Sequence, residues 1–214
     1  MPQALGQRMV TKASLIERIY LDIRRELTDG TLAPGKRVDI AALCARVGAS
    51  KSPVRNALNR LVGEGLLETH AHDGFYRPLV TEAKLRDLYK WSRRLLLMAI
   101  DIAEAEETGP PVAATEIDVD DVVPATEQLF ISIAALGQSG EILRAVDNVN
   151  IRLRAIRAAK HAGLIERRTE LSALSEAYKS SRLQELRTLV VGYHALRLEL
   201  TPQIVASTYR EGQP

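Results

Sequence analysis

The sequence predicts a mainly α fold in two parts, residues 1–80 helical with one small β-hairpin and residues 81–214 an all-α helical bundle. Three observations predict it. Apolar residues recur at three- and four-residue spacing through most of the chain. Only around His70–Gly74 (HAHDG) does that period give way to two short strands, Leu66–Glu68 and Phe75–Arg77, joined by a tight loop. No strand signal follows.

Taken in order, residues 1–11 read as a mobile arm. From Ser14 to Thr28, Leu15, Ile19, Ile23 and Leu27 recur every four residues, which makes a helix with one packing face. Asp29-Gly30 stops it and Ala33-Pro34-Gly35 turns the chain back. Asp39 is placed to cap a short helix whose inner face is Ile40, Leu43, Cys44 and Val47, and Gly48 is placed to end it. Ser50 then opens a second helix as N-cap, with Pro53 in the first turn, where a missing N–H leaves nothing unpaired. Val54, Ala57, Leu58 and Leu61 share one face of it; Lys51, Ser52, Arg55, Asn56 and Asn59 share the other.

Two short helices joined through a glycine form the helix-turn-helix pattern. The outer face of the second presents cationic and amide side chains, the types that read guanine and adenine edges or grip phosphates. Polar-faced helix hairpins are common in α proteins, so the pair alone does not decide the matter. A hairpin directly after the second helix and an amphipathic helix before the pair turn it into a winged helix-turn-helix, and the predicted partner is double-stranded DNA. Arg8 and Lys12 in the arm are then available for phosphate. Lys36 and Arg37 either touch the duplex backbone or solvate a turn.

The segments IERIYLDIRRELTDGTLAPGKRVD, VGASKSPVRNALNRLVGEGLLE and DGFYRPLVTEAKLRDLYKWSRRL together resemble the GntR family of transcriptional regulators. RDLY leading into a long helix resembles its FadR-like branch, with a C-terminal helical FCD-type domain. The likeness is close over about residues 14–100 and loose beyond. It implies DNA contacts from Lys51, Ser52 and Arg55 and from Gly74 in the wing. The family usually has Arg where Lys51 stands, so a planar fork becomes a point charge. Ala41 replaces an Arg common on the preceding helix, and Asp73 replaces a basic residue before the wing glycine, which implies altered wing contacts or a different operator. His70 and His72 compensate for Asp73 only if protonated.

Composition sets outer bounds. With 214 residues and 46% hydrophobic content, the chain is long enough for one large or two small domains. No apolar run reaches membrane-spanning length and no signal-type apolar stretch opens the sequence, so a cytoplasmic protein is expected. Residues 1–80 hold 12 Lys/Arg against 8 Asp/Glu, a net of +4, and residues 81–214 hold 17 against 19, a net of −2. A basic head on a near-neutral body suits a nucleic-acid binder. The single cysteine, Cys44, excludes an intrachain disulfide and reads as a small core residue. No HExxH, Glu-x-x-His pair, phosphate loop or nucleophile elbow is present, so no catalytic residue is assigned and an enzyme is not expected.

After the wing, Thr81 caps a long helix running to about Glu107 with a broad apolar surface. Thr108-Gly-Pro-Pro-Val breaks it and an acidic linker, Glu116–Asp121, follows. Further helices are predicted over about 124–137, 140–160, 166–179 and 182–206.

Many domains of the resembled branch hold a divalent metal with an Asp and three His, and the metal helps hold a carboxylate effector. The matching positions here are Glu127, Ile131, Leu171 and either Tyr193 or His194. One carboxylate and one imidazole fall short of the three or four protein ligands a stable site needs, so no metal and no cofactor are expected. Ser92 and Leu96 replace an Arg and a Glu of the family's pocket, which predicts a more apolar interior. Ser92, Leu96, Glu127, Arg154, Arg157 and His194 are the candidate effector-binding residues. Arg152, Arg154 and Arg157 are the candidates for an anion, although only Arg154 and Arg157 are close neighbours; solvated or dimer-facing arginines are the competing reading.

The combined expectation is a metabolite-responsive repressor that binds a palindromic operator as a homodimer. Residues 1–80 would bind DNA, and residues 81–214 would bind an effector and dimerise. The rival is a ligand-independent regulator whose helical part only dimerises.

Overall fold

The computed structural model describes residues 3–28, 32–70, 74–109, 121–159 and 167–210, with side chains described from residue 15 to 209. The fold is mainly helical with one small β-hairpin. It divides into two compact units between Leu79 and Val80.

In the first unit, α1 (Gln3–Thr28), α2 (Ile40–Val47) and α3 (Lys51–Gly63) precede β1 (Glu68–His70) and β2 (Gly74–Tyr76). The core is built from Ile19, Tyr20, Ile23 and Leu27 of α1, Leu43 of α2 and Val54, Ala57, Leu58 and Leu61 of α3. Leu66, Leu67 and Phe75 close it from the wing side. Asp39 caps α2, its Oδ1 accepting from the amides of Ala41 at 2.9 Å and Ala42 at 3.0 Å. Gly48 ends the helix at φ +62°, a conformation that favours glycine. Cys44 lies half-buried rather than sealed in the core.

Three local expectations need correction. The arm is not separate from the first helix: α1 begins at Gln3, because residues 3–13 hold no proline and are mostly good helix formers that let the packed turns propagate backward. Ser50 occupies the N-cap position of α3 without a hydrogen bond from its side chain. The first strand starts at Glu68, two residues later than its apolar run suggests. The amides of Leu66 and Leu67 both donate to the carbonyl of Leu61, which ties these leucines to the end of α3 before pairing with β2 begins. The strands pair antiparallel with Thr69 opposite Phe75.

The second unit comprises α4 (Glu82–Ala105), α5 (Val122–Leu136), α6 (Gly140–Ala158), α7 (Arg167–Lys179), α8 (Leu183–Glu199) and α9 (Thr201–Arg210). Helix α4 packs on α5, α6, α8 and α9, and α5 packs on α6 and α7. Leu96, Ile100, Leu129, Phe130, Ile133, Leu153 and Leu174 are among the fully buried side chains at the centre. Thr81 caps α4, its Oγ1 accepting from the amide of Lys84 at 3.2 Å.

The last predicted helix is in fact two, broken at Leu200. Pro202 has no N–H to give the carbonyl of Leu198, four residues back. The guanidinium of Arg86 on α4 donates to that carbonyl instead, at 2.7 Å. The acidic linker as far as Asp120 and the wing loop with His72 and Asp73 fall outside the described residues. Among the described residues, no helix is long and apolar enough to cross a membrane.

Candidate functional site

The outer face of α3 is built by contrast with its inner one. Val54, Ala57, Leu58 and Leu61 are fully buried, which leaves Lys51, Ser52, Arg55, Asn56 and Asn59 exposed together on the opposite side. Helix α3 is fixed on α1 by a polar clamp. The Tyr20 hydroxyl donates to Glu64 at 2.8 Å, Arg60 lies 3.6 Å over the Tyr20 ring, and Arg60 pairs with Glu17 at 2.6 Å. Burial and the Glu64 bond push the Tyr20 phenol above its usual pKa, so it stays a neutral donor.

Gly74 is half-buried at φ +104°, and a Cβ there would meet Nε and Nη2 of Arg37 at 3.1 and 3.3 Å. The exposed Arg37 guanidinium therefore lies across the wing glycine, and its backbone bridges Tyr76 of β2. His70 is exposed beside Glu68, its ring 5.0 Å from that of Tyr76.

Five of the six sensor candidates lie in or beside one charged cluster in the second unit. Glu127 is buried, and both its oxygens accept from Arg154 Nε at 3.0 Å. Arg157 Nη1 stands 3.9 Å from the same carboxylate, donates to Asn150 Oδ1 at 3.0 Å, and its guanidinium lies 5.4 Å from the Phe130 ring centre. His194, fully buried, stacks on the Phe130 ring itself, the centroids 5.8 Å apart. Its Nδ1 is 2.7 Å from the carbonyl of Val190, which can only accept, so Nδ1 carries the proton. Nε2 then accepts from the Ser92 hydroxyl at 3.0 Å. Burial, with Arg157 and Arg197 nearby, holds the imidazole neutral, its pKa pushed down to about 3 despite the help of the Val190 carbonyl. Leu96 is sealed in the surrounding apolar core.

This donor set does not fit a metal. The Glu127 oxygens are taken by Arg154, the free lone pair of His194 is taken by Ser92, and Ile131 and Leu171 offer no ligand atom. Among the described residues, no three His, Cys, Asp or Glu side chains group closely enough to hold an ion.

Residues 15–76 match the family described as bacterial regulatory proteins, gntR family. That match lies within the first unit. The chain is 30% identical over 135 residues to the Nta operon transcriptional regulator of Aminobacter aminovorans, covering 58% of this chain and 64% of that one. Matches to the first curated relatives span between 31% and 64% of those proteins' lengths. The fold extends further. A putative transcriptional regulator GntR from Rhodococcus sp. RHA1 superposes with a TM-score of 0.71 at 18% identity, over 91% of this chain and 99% of that one. E. coli McbR/YncC gives 0.61 at 21% identity, over 93% and 99%.

The gntR-family match ends at residue 76, and the cluster beyond it contains residues that motif reading passed over. Asn150 links Arg157 to the carbonyl of Glu127, to which its Nδ2 donates at 3.2 Å. Buried Arg197 pairs with Glu170 and lies 3.5 Å over Tyr193. Asn150 stands seven residues before Arg157, two helical turns away on one face, and that spacing is the signal that marks it.

Proposed function

We propose that the chain is a sequence-specific DNA-binding transcriptional regulator, a metabolite-responsive repressor that binds a palindromic operator as a homodimer in the cytoplasm. The observation that carries this reading is the exposed face of α3 beside a short wing, within a gntR-family domain. Arg55, Asn56 and Asn59 reach base edges, while Lys51, Ser52 and the backbone at Gly74 meet phosphates. Two-fold symmetry supplies the second half-site that makes so small a reading head specific. The second unit is then an FCD-type effector-binding and dimerisation domain, with Ser92, Leu96, Glu127, Arg154, Arg157 and His194 in its interior. The regulator from Aminobacter aminovorans, named for an operon, supports regulation as the activity.

A second reading has an observation of its own. Glu127 with Arg154, and Ser92 with His194, are paired internally, as in a bundle that serves only to dimerise.

Fluorescence anisotropy on duplex DNA from upstream of this protein's own gene, at two salt concentrations, tests the main reading. The expected result is binding tighter than to scrambled duplex, by a margin that survives the higher salt. Equal affinity for both duplexes would remove sequence-specific regulation at that locus. Release of the bound duplex by a metabolite separates the sensor from the pure dimerisation module.

A further inference from the structure

The chain passes from the first unit to the second through a short, well-anchored stretch. On the first side Arg77 is tied to the loop before α2: its N–H donates to the carbonyl of Lys36 at 2.9 Å, and its own carbonyl accepts from Gly35 at 2.8 Å. Leu79 keeps its side chain on that same loop, where a Cβ added at Gly35 would meet Leu79 Cδ2 at 2.9 Å. The second unit begins at the next residue, Val80.

There the backbone is taken by a side chain 129 positions away. The Tyr209 hydroxyl on α9 accepts from the Val80 N–H at 3.0 Å and donates to the Val80 carbonyl at 3.0 Å. One phenol thus satisfies both polar groups of one residue, as a facing residue does in an antiparallel ladder. The ring of Tyr209 is 39% exposed, so burial alone does not account for its position. Helix α9 is a firm base for such a bond. Ile204 is fully buried, Val205 packs against the core, and Tyr209 follows Val205 by one turn on the same face. The Val80 side chain packs against that core as well.

With Val80 held, the chain between Arg77 and the second unit is Pro78-Leu79, and the proline ring fixes its own φ. Freeing Val80 adds one residue to this tether, at most about 3.5 Å of reach.

We propose that Tyr209 is a positioning residue for DNA reading, its hydroxyl holding Val80 to the second unit and so setting the length of chain that joins the two units. The inference rests on the homodimer reading, in which two such tethers limit how far apart two α3 helices can be placed. Two freed residues add up to about 7 Å, the rise of roughly two base pairs.

The test uses the full chain and Tyr209→Phe, which keeps the ring and loses the hydroxyl. Without DNA, the Val80 amide of the variant should exchange with solvent at least tenfold faster than in the wild type. The Ile204 amide, bonded to the carbonyl of Leu200 at 3.0 Å, serves as control and should not change. Binding sites are then selected from random duplexes. The wild type should yield paired half-sites at one separation, and Tyr209→Phe the same half-site sequence with separations spread over one or two further base pairs. A glycine inserted between Leu79 and Val80 lengthens the tether with the bond intact and should give the same spread. A mere loss of stability would lower affinity without moving the preferred separation.

Unchanged Val80 exchange in Tyr209→Phe overturns the proposal at its first step. Faster exchange with an unaltered separation overturns the positioning role, as does a glycine insertion that leaves the separation fixed. A wild-type chain that selects no paired half-sites removes the homodimer reading and the positioning role with it, and faster Val80 exchange then marks a bond internal to the second unit.

Discussion

Arg55 stands on a turn of α3 whose packing is carried by Val54 and Leu58, so its own side chain is free of structural duty. Arg55→Ala should weaken operator binding by about 1–3 kcal/mol. The far-UV spectrum and Tm should be nearly unchanged. Equal affinity of variant and wild type at matched salt would remove α3 as the reading helix. His194 behaves oppositely, being structural and sensitive to pH. Its folded pKa of about 3 lies below the usual value of 6.5, so between those limits the unfolded chain binds the extra proton. The His194 contribution is fully present above pH 6.5 and is lost as pH falls toward 3, by about 1.4 kcal/mol per pH unit. Denaturant midpoints for His194→Gln should fall less steeply between pH 6 and 4 than those of the wild type. Parallel slopes would mean that the imidazole is not held neutral.

The join between α8 and α9 shows how a single missing N–H reorganises an element. Arg86→Ala leaves the Leu198 carbonyl without its donor, at a cost of about 1 kcal/mol. Pro202→Ala supplies a backbone N–H and should recover most of that loss in the double variant. Additive losses in the four-member cycle, measured by urea unfolding, would show that Arg86 does not substitute for the proline. Most elements were legible in the sequence because periodicity, Asp39, Gly48 and Thr81 mark packing faces and ends directly. The α8–α9 break was less so: Pro202 suits either a kink or a helix start, and the choice depends on Arg86, 116 positions away on another helix. The start of the first strand was missed for a related reason, since Leu66 and Leu67 look like strand residues but bond to Leu61. In the candidate sites, the outer face of α3 followed from helical spacing. The division of labour between Arg154 and Arg157 did not, because both lie near Glu127 and only geometry shows which of them it occupies.

Each of the two units has its own apolar core, and residues 80–214 expressed alone should keep a cooperative thermal transition. Trp91 and Met98 are 45% and 46% exposed, and they stand seven residues apart on α4, hence on one face of the helix. As part of the proposed dimer contact, Trp91→Glu should shift sedimentation toward the monomer and reduce operator affinity, with the fold of the unit intact. An unchanged sedimentation coefficient would place the contact elsewhere. The wing glycine has a consequence of a different kind, for heredity. Any side chain at position 74 strains the backbone and requires the Arg37 guanidinium to give way by a few tenths of an ångström. A codon change at 74 is thus felt at 37 as well, nearly forty codons upstream, and a second change there can relieve the crowding but not the backbone strain.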